Sequence, residues 1–205
     1  MPQPGPLIDD FSTVLAASGG VARPVSSARE VAAAIEAVVA GQDSRQLLYA
    51  PFALARQIGL QHHLAARNIE LVRLPTAADR ASRIGVGLTG AAFAIAETGT
   101  LIVGGQPGAW GLASVLPWVH VVLLRAGDIL PDLPSAFATF SACLRAGEGD
   151  WVWITGPSRT ADIGHTLVLG AHGPNALHVL ILQDAEATVP ETAPGPSASH
   201  HGGRR

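Results

Sequence analysis

GLTGAAFAIAETGTLIVGG, residues 87–105, carries one charged side chain, Glu97, among otherwise apolar or neutral residues. How this run folds settles the class of the whole chain. A single apolar helix of this length would approach a membrane span, whereas shorter elements would belong to the interior of a layered domain. Against insertion stand Glu97 in the second half and the repeated glycines, so the chain is expected to lack a membrane span. The run then reads as a short strand, a helix of small residues and a second buried strand over residues 100–103. Burying an unpaired carboxylate costs roughly several kcal/mol, so Glu97 must reach water, find a partner, take up a proton or face a ligand.

At 205 residues and 48% hydrophobic content the chain can bury a core as one domain. A net charge of -3 and a pI near 6.2 offer no basic footprint for nucleic acid. All thirteen basic residues are Arg. Without a lysine, neither a Walker phosphate loop nor Schiff-base chemistry is available. The one cysteine, Cys143, permits no intramolecular disulfide and no thiolate metal cluster. It lies in PSAFATFSACLRAG, where Leu133, Phe137, Phe140 and Leu144 recur at helical spacing, and is expected to pack in the core. The start of the chain lacks a signal peptide's charged and apolar regions, which makes the cytoplasm the expected compartment.

On either side of the opening run, strands alternate with helices. Ser27 and Glu30 form a capping box ahead of Val31, Ile35, Val38 and Val39, which share a helical face ended by Gly41. A strand at residues 46–50 precedes a helical stretch from Pro51 to Arg67, interrupted at Gly59, with Asn68 as the stop before a strand at 70–74. Strands follow at 119–124, 151–155 and 177–182, with a helix at 134–145 between the first two. Such alternation predicts a mostly parallel mixed sheet with helices on both faces, and ligands beyond the carboxyl ends of its strands. The expected organisation is a flexible N-terminus over residues 1–10, one domain over 11–183, and a disordered Pro-, Gly- and Ser-rich tail over 184–205.

Gly85, Gly87 and Gly90 match a dinucleotide fingerprint by letter, but ADRASR before them is too polar for a central strand and no acid lies near position 110. Close backbone packing explains these glycines better. The turn of residues 156–160, GPSRT, misses a nucleophile elbow by its last residue, Thr160, although His165 and His172 stand as conceivable partners. Its Ser158, Arg159 and Thr160 also suit a carboxylate or phosphate ligand; a helix cap with a solvated Arg is the plainer alternative. The histidines make no metal pattern: His62 and His63 are adjacent, and His200 and His201 lie in the tail. His172 begins a turn before the last strand, either as a structural rim residue or as a ligand contact.

Taken together, AFAIAETGTLIVGG, SVLPWVHVVLL, ITGPSRTADI and VLGAHGPNALHVLIL, in this order, resemble the LUD-domain family and within it the lactate-utilization branch. The resemblance covers residues from about 27 to 182. It implies a Rossmann-like sheet similar to that of the ribose-phosphate isomerase, glucosamine-phosphate isomerase and CoA-transferase group. It also implies a part in bacterial oxidation of L-lactate to pyruvate alongside iron-sulfur companion proteins. With one cysteine, this chain itself is expected to bind no cofactor, and the clusters would belong to the companions.

By motif position, the resemblance assigns Glu97 as a candidate catalytic group. Thr98, Gly99, Thr100, Gly156, Ser158, Arg159, Thr160, Asp162 and His172 become candidate ligand contacts, with Pro157, Gly173 and Pro174 beside them. Two departures stand out: many relatives carry an acid where Ala92 stands and an Arg where Gly111 stands. The expectation is one cleft in which Arg159 meets a small carboxylate or phosphate-bearing anion and Glu97 handles a proton. A Glu97 satisfied by backbone amides is the plain alternative. The functional alternative is a stand-alone isomerase or acyl transferase acting on a sugar phosphate or CoA ester. Whether the chain pairs with itself stays open.

Overall fold

The computed structural model describes residues 4–42, 45–104, 111–145, 149–161, 167–169 and 173–183. Six strands make the parallel body of the sheet, in the order β1 (Val21–Val25), β11 (Ala176–Leu182), β6 (Val119–Arg125), β4 (Val86–Ile95), β2 (Gln46–Tyr49) and β3 (Glu70–Arg73). β4 is the hinge of the architecture. Its first half pairs in parallel with β2 and β6, and its second half pairs antiparallel with β5 (Thr100–Gly104). β8 (Trp151–Ile154) then adds antiparallel to β5, and the two-residue β7 (Ile129–Leu130) pairs with the end of β4. A separate ribbon joins β9 (Arg159–Ala161) to β10 (Leu167–Leu169). The α/β class expected from the alternation is the class observed.

Helices cover both faces of the parallel body. On one, Val31, Ile35 and Val39 of α2 (Ala28–Val39) and Leu60 and Leu64 of α4 (Leu60–Ala65) pack with Leu47, Val86, Leu88, Val121 and Leu123. Ser27 caps α2 by accepting the Glu30 amide at 3.2 Å, while the Glu30 carboxylate accepts the amide of Ser26 at 2.8 Å. The short α3 (Ala53–Gln57) is divided from α4 by Gly59 at φ +59°, and Asn68 adopts φ +54° before β3. On the opposite face, Phe11 and Leu15 of α1 (Pro4–Ala17) meet Leu48, Leu101, Val122, Leu124 and Val179. The helical turns α5 (Ala78–Ala81) and α6 (Leu112–Val115) lie in connections. α7 (Leu133–Arg145) closes a third cluster with Phe93, Ile95 and Ile102 through Ala136.

Three sequence expectations are corrected. The small-residue segment before Glu97 is not a helix: residues 86–95 are one strand, buried along most of its length. Its alanines favour helix in isolation, but the ladders with β2, β5, β6 and β7 satisfy its backbone instead. The expected flexible start is a helix from Pro4, because Ile8, Phe11 and Leu15 form an apolar stripe that the sheet covers. On α7, Phe137 and Leu144 are exposed and Cys143 is half-buried, so that helix buries only Ala136 completely. The tail of residues 184–205 lies outside the described residues.

Candidate functional site

Gly87, in the first half of β4, has no side chain to hold off α6. A Cβ there would strike the carbonyl of Ala113, so the glycine admits a backbone where a side chain would stand. This close approach brings Ser114 beside His120, which leaves β6 on the same face of the sheet. His120 is 1% exposed and its Nε2 lies 2.8 Å from Thr89 Oγ1. Burial pushes its pKa down to about 3, so the ring is neutral at ordinary pH.

The turn after β8 completes the enclosure. The Ser158 amide donates to the carbonyl of Pro174 at 2.8 Å, and Gly173, at φ +153°, lies close against Ser158. Ser114, His120, Thr155, Gly156, Ser158 and Pro174 thus line one cleft of about 290 Å³. Its described residues offer a neutral imidazole, hydroxyls and backbone groups and no charged side chain, a set that orients a polar ligand.

The expected site residues divide around this cleft. Gly156 and Ser158 line it, with Pro157, Gly173 and Pro174. Arg159 follows Ser158 but is not part of the lining: its guanidinium lies against Gly19, and the residue is exposed, with no ion pair or side-chain hydrogen bond to the described residues. Thr160 pairs with Val168 in the small ribbon. Asp162 and His172 lie outside the described residues.

Glu97 takes another course. Its Oε2 accepts the amide of Leu133 at 3.0 Å, at the start of α7, where Asp132 Oδ1 accepts the amide of Ser135 at 2.8 Å. The lone carboxylate of the apolar run therefore reaches water and caps a helix. It forms no ion pair with Arg159, and neither residue is part of the cleft lining. Thr98 donates to Thr100 at 2.7 Å, and Thr100 lies 3.0 Å from Thr155, so these hydroxyls bind the hairpin to β8. Gly99, at φ +62°, lets the hairpin turn sit against the backbone of Leu15. Ala92 is exposed at a register shift in the β4–β5 ladder, and the Gly111 carbonyl accepts the Ser114 hydroxyl at 2.8 Å.

Sequence reasoning missed His120, Thr89 and Ser114. A single histidine inside the apolar strand VHVVLL was the available signal. No group of three or more His, Cys, Asp or Glu among the described residues could hold a metal ion. Nor is any helix among the described residues long and apolar enough to cross a membrane.

The family model described as LUD domain matches residues 8–182. The chain belongs to the LUD-domain family. Among relatives, lactate utilization protein C of Deinococcus radiodurans is 34% identical over 51% of this chain and 48% of its own length. That of Halalkalibacterium halodurans is 26% identical over 62% of this chain and 58% of its own. That of Bacillus pumilus is 30% identical over 45% of this chain and 40% of its own, so the matches span about half the relatives' length. A crystal structure of a DUF162 family protein from Deinococcus radiodurans superposes with a TM-score of 0.65 at 22% identity. The match covers 89% of this LUD-domain chain and 99% of that one, and it supports the α/β fold.

Proposed function

We propose that this LUD-domain chain is a cytoplasmic component of a bacterial system that oxidises L-lactate to pyruvate. In this reading the chain binds a small carboxylate or phosphate-bearing anion and works with iron-sulfur partner proteins. The observation that carries it is the family match across residues 8–182, taken with relatives called lactate utilization protein C. Two features of the chain support it. One cysteine cannot hold an iron-sulfur cluster, so electron transfer falls to companions. Arg159, exposed beside the Gly156 and Ser158 turn and without an ion pair among the described residues, would supply the charge that an anion needs.

The alternative of a stand-alone isomerase or acyl transferase drew on Glu97 as its base. That carboxylate is engaged with the Leu133 amide and is absent from the cleft lining, which removes its main support.

The test is reconstitution. Purified protein alone should give no lactate-dependent reduction of a redox dye, and adding the iron-sulfur companions should produce it. Turnover by the isolated chain would overturn the reading. Arg159→Ala should weaken binding of lactate, pyruvate or inorganic phosphate by about 1.5–3 kcal/mol in calorimetry, the range for charge-assisted hydrogen bonds, with the fold intact.

A further inference from the structure

Among the described residues the main sheet ends in four strands: β1 and β3 close the parallel body, and β7 and β8 close its antiparallel extension. Three of them discourage a further strand. β1 holds Arg23 and Pro24, β3 is bounded by Glu70 and Arg73, and β7 has only two residues. β8 has no such protection. Its sequence WVWI, residues 151–154, contains no charge and no proline, and among the described residues it pairs with β5 alone. The open edge presents backbone donors and acceptors in extended geometry, which another strand satisfies best.

The surface around this edge is apolar. Among the described residues, every large hydrophobic side chain left exposed, except Val21, lies in β8, in α7, in α6 or at Trp118 just after α6. On α7, Phe137 and Leu144 lie two turns apart on one stripe, and each is 54% exposed. Phe137 rests against Trp153 with ring centroids 5.5 Å apart, so the stripe continues onto the open strand. Leu112, Val115 and Leu116 share the outer face of α6, and Val115 lines one cleft with residues 152–155. Charge is confined to the two ends of α7. Glu97 and Asp132 accept amides at its start, and Arg145 ends it without an ion pair among the described residues.

We propose that β8 pairs antiparallel with β8 of a second copy of this chain, forming a two-fold dimer in which the two α7 helices pack against each other across the seam. The occupant is a second copy because the surface is complementary to itself. A two-fold axis beside β8 runs the helices in opposite directions, so Arg145 of each copy faces the acidic start of the other copy's α7 while the uncharged stripes meet. Asp150, exposed just before β8, falls at opposite ends of the seam in the two copies, so these like charges stay apart. The pairing closes the edge that the fold leaves unprotected and covers Phe137 and Trp153. Since residues 152–155 also line the cleft of His120 and Ser158, the seam borders the candidate site.

The experiment is sedimentation equilibrium on the full chain over about 1–100 µM. The mass should rise to twice the 21.0 kDa of one chain. Hydrogen exchange at the two ends of that range should show the amides of residues 151–154 slowing as concentration increases. Trp153→Lys gives the strand the charge that other edges use, and Leu144→Glu puts one on the exposed stripe; each should raise the dissociation constant by about tenfold or more. Leu144→Glu changes an exposed position, so circular dichroism should show its fold intact, and it decides the question should Trp153→Lys fold poorly. Arg145→Glu sets acid against acid across the seam and should raise the constant by about threefold or more. A monomer throughout the range, a dimer indifferent to Leu144→Glu, self-association in Arg145→Glu as tight as in the wild type, or β8 amides whose exchange ignores concentration would each overturn the proposal. The measurement needs neither lactate nor companion proteins, so it and the dye-reduction assay fail independently.

Discussion

His120 is neutral because the interior around it disfavours charge, and the consequence shows in acid. Its folded pKa, about 3, lies below the ordinary 6.5, so the unfolded chain takes up the proton first. The stability tied to neutral His120 is complete above about pH 6.5 and is lost as pH falls toward the folded value. His178 is lowered by burial in the same sense, and carboxylates held low by hydrogen bonds, such as Asp132, add to the loss at more acid pH. His120→Gln, whose amide can still reach Thr89, isolates the first contribution. Between pH 7 and 4.5 the wild type should lose about 2–3 kcal/mol more than this variant, measured by denaturant titration at each pH. Equal pH profiles would show that His120 is not held neutral.

Glu97 yields the opposite expectation. As an exposed acceptor for an N-terminal amide of α7, Glu97→Ala should cost about 0.5–2 kcal/mol of stability, and Glu97→Gln less, since an amide oxygen still accepts. Unchanged dye reduction by the assembled system with Glu97→Gln would agree with a capping role. A large loss of turnover without loss of stability would return the residue to catalysis.

β4 shows how a strand can be written in helix-forming letters. Its alanines and glycines are small because something presses on each face: the Ala113 carbonyl at Gly87, the Phe52 ring at Gly90. The register shift between Ala91 and Phe93 then turns the strand from the parallel body into the antiparallel hairpin. Gly87→Ala should therefore displace α6 and destabilise by about 1–3 kcal/mol, with the loss visible in thermal unfolding. Gly99→Ala combines a left-handed backbone with a Cβ 2.7 Å from the Leu15 amide nitrogen, and should cost at least about 1–3 kcal/mol. A neutral outcome at Gly99 would mean that the hairpin turn and α1 can separate freely.

Across the molecule, α1 is the element on which one whole face of the sheet depends. Ile8, Phe11 and Leu15 are buried at 3%, 0% and 0% exposure against strands far away in sequence. Removing residues 1–17 should cost more than about 5 kcal/mol, since a single large buried side chain already carries about 2–5. The truncated chain should lose cooperative unfolding in calorimetry. Retention of a sharp transition would show that the remaining layers suffice.

Local chemistry made much of this architecture legible. Ser27 with Glu30 marks a helix start, Gly59 and Asn68 mark turns, and apolar runs such as VHVVLL can only be buried strands, because each signal acts over a few residues. Gly156 and Ser158 were also marked, since a glycine and a hydroxyl after a strand suit a ligand turn wherever the strand lies. Whether Glu97 faces Arg159 or the start of α7 depends on how the hairpin seats on α1. Whether residues 90–95 coil or extend depends on β5, β6 and β7 offering partners. His120 becomes part of a cleft only because Gly87 lets α6 approach, and Phe137 meets Trp153 only because α7 folds back over β8. These outcomes are energies of contact between residues distant in the chain, and no periodicity or spacing within one segment contains them.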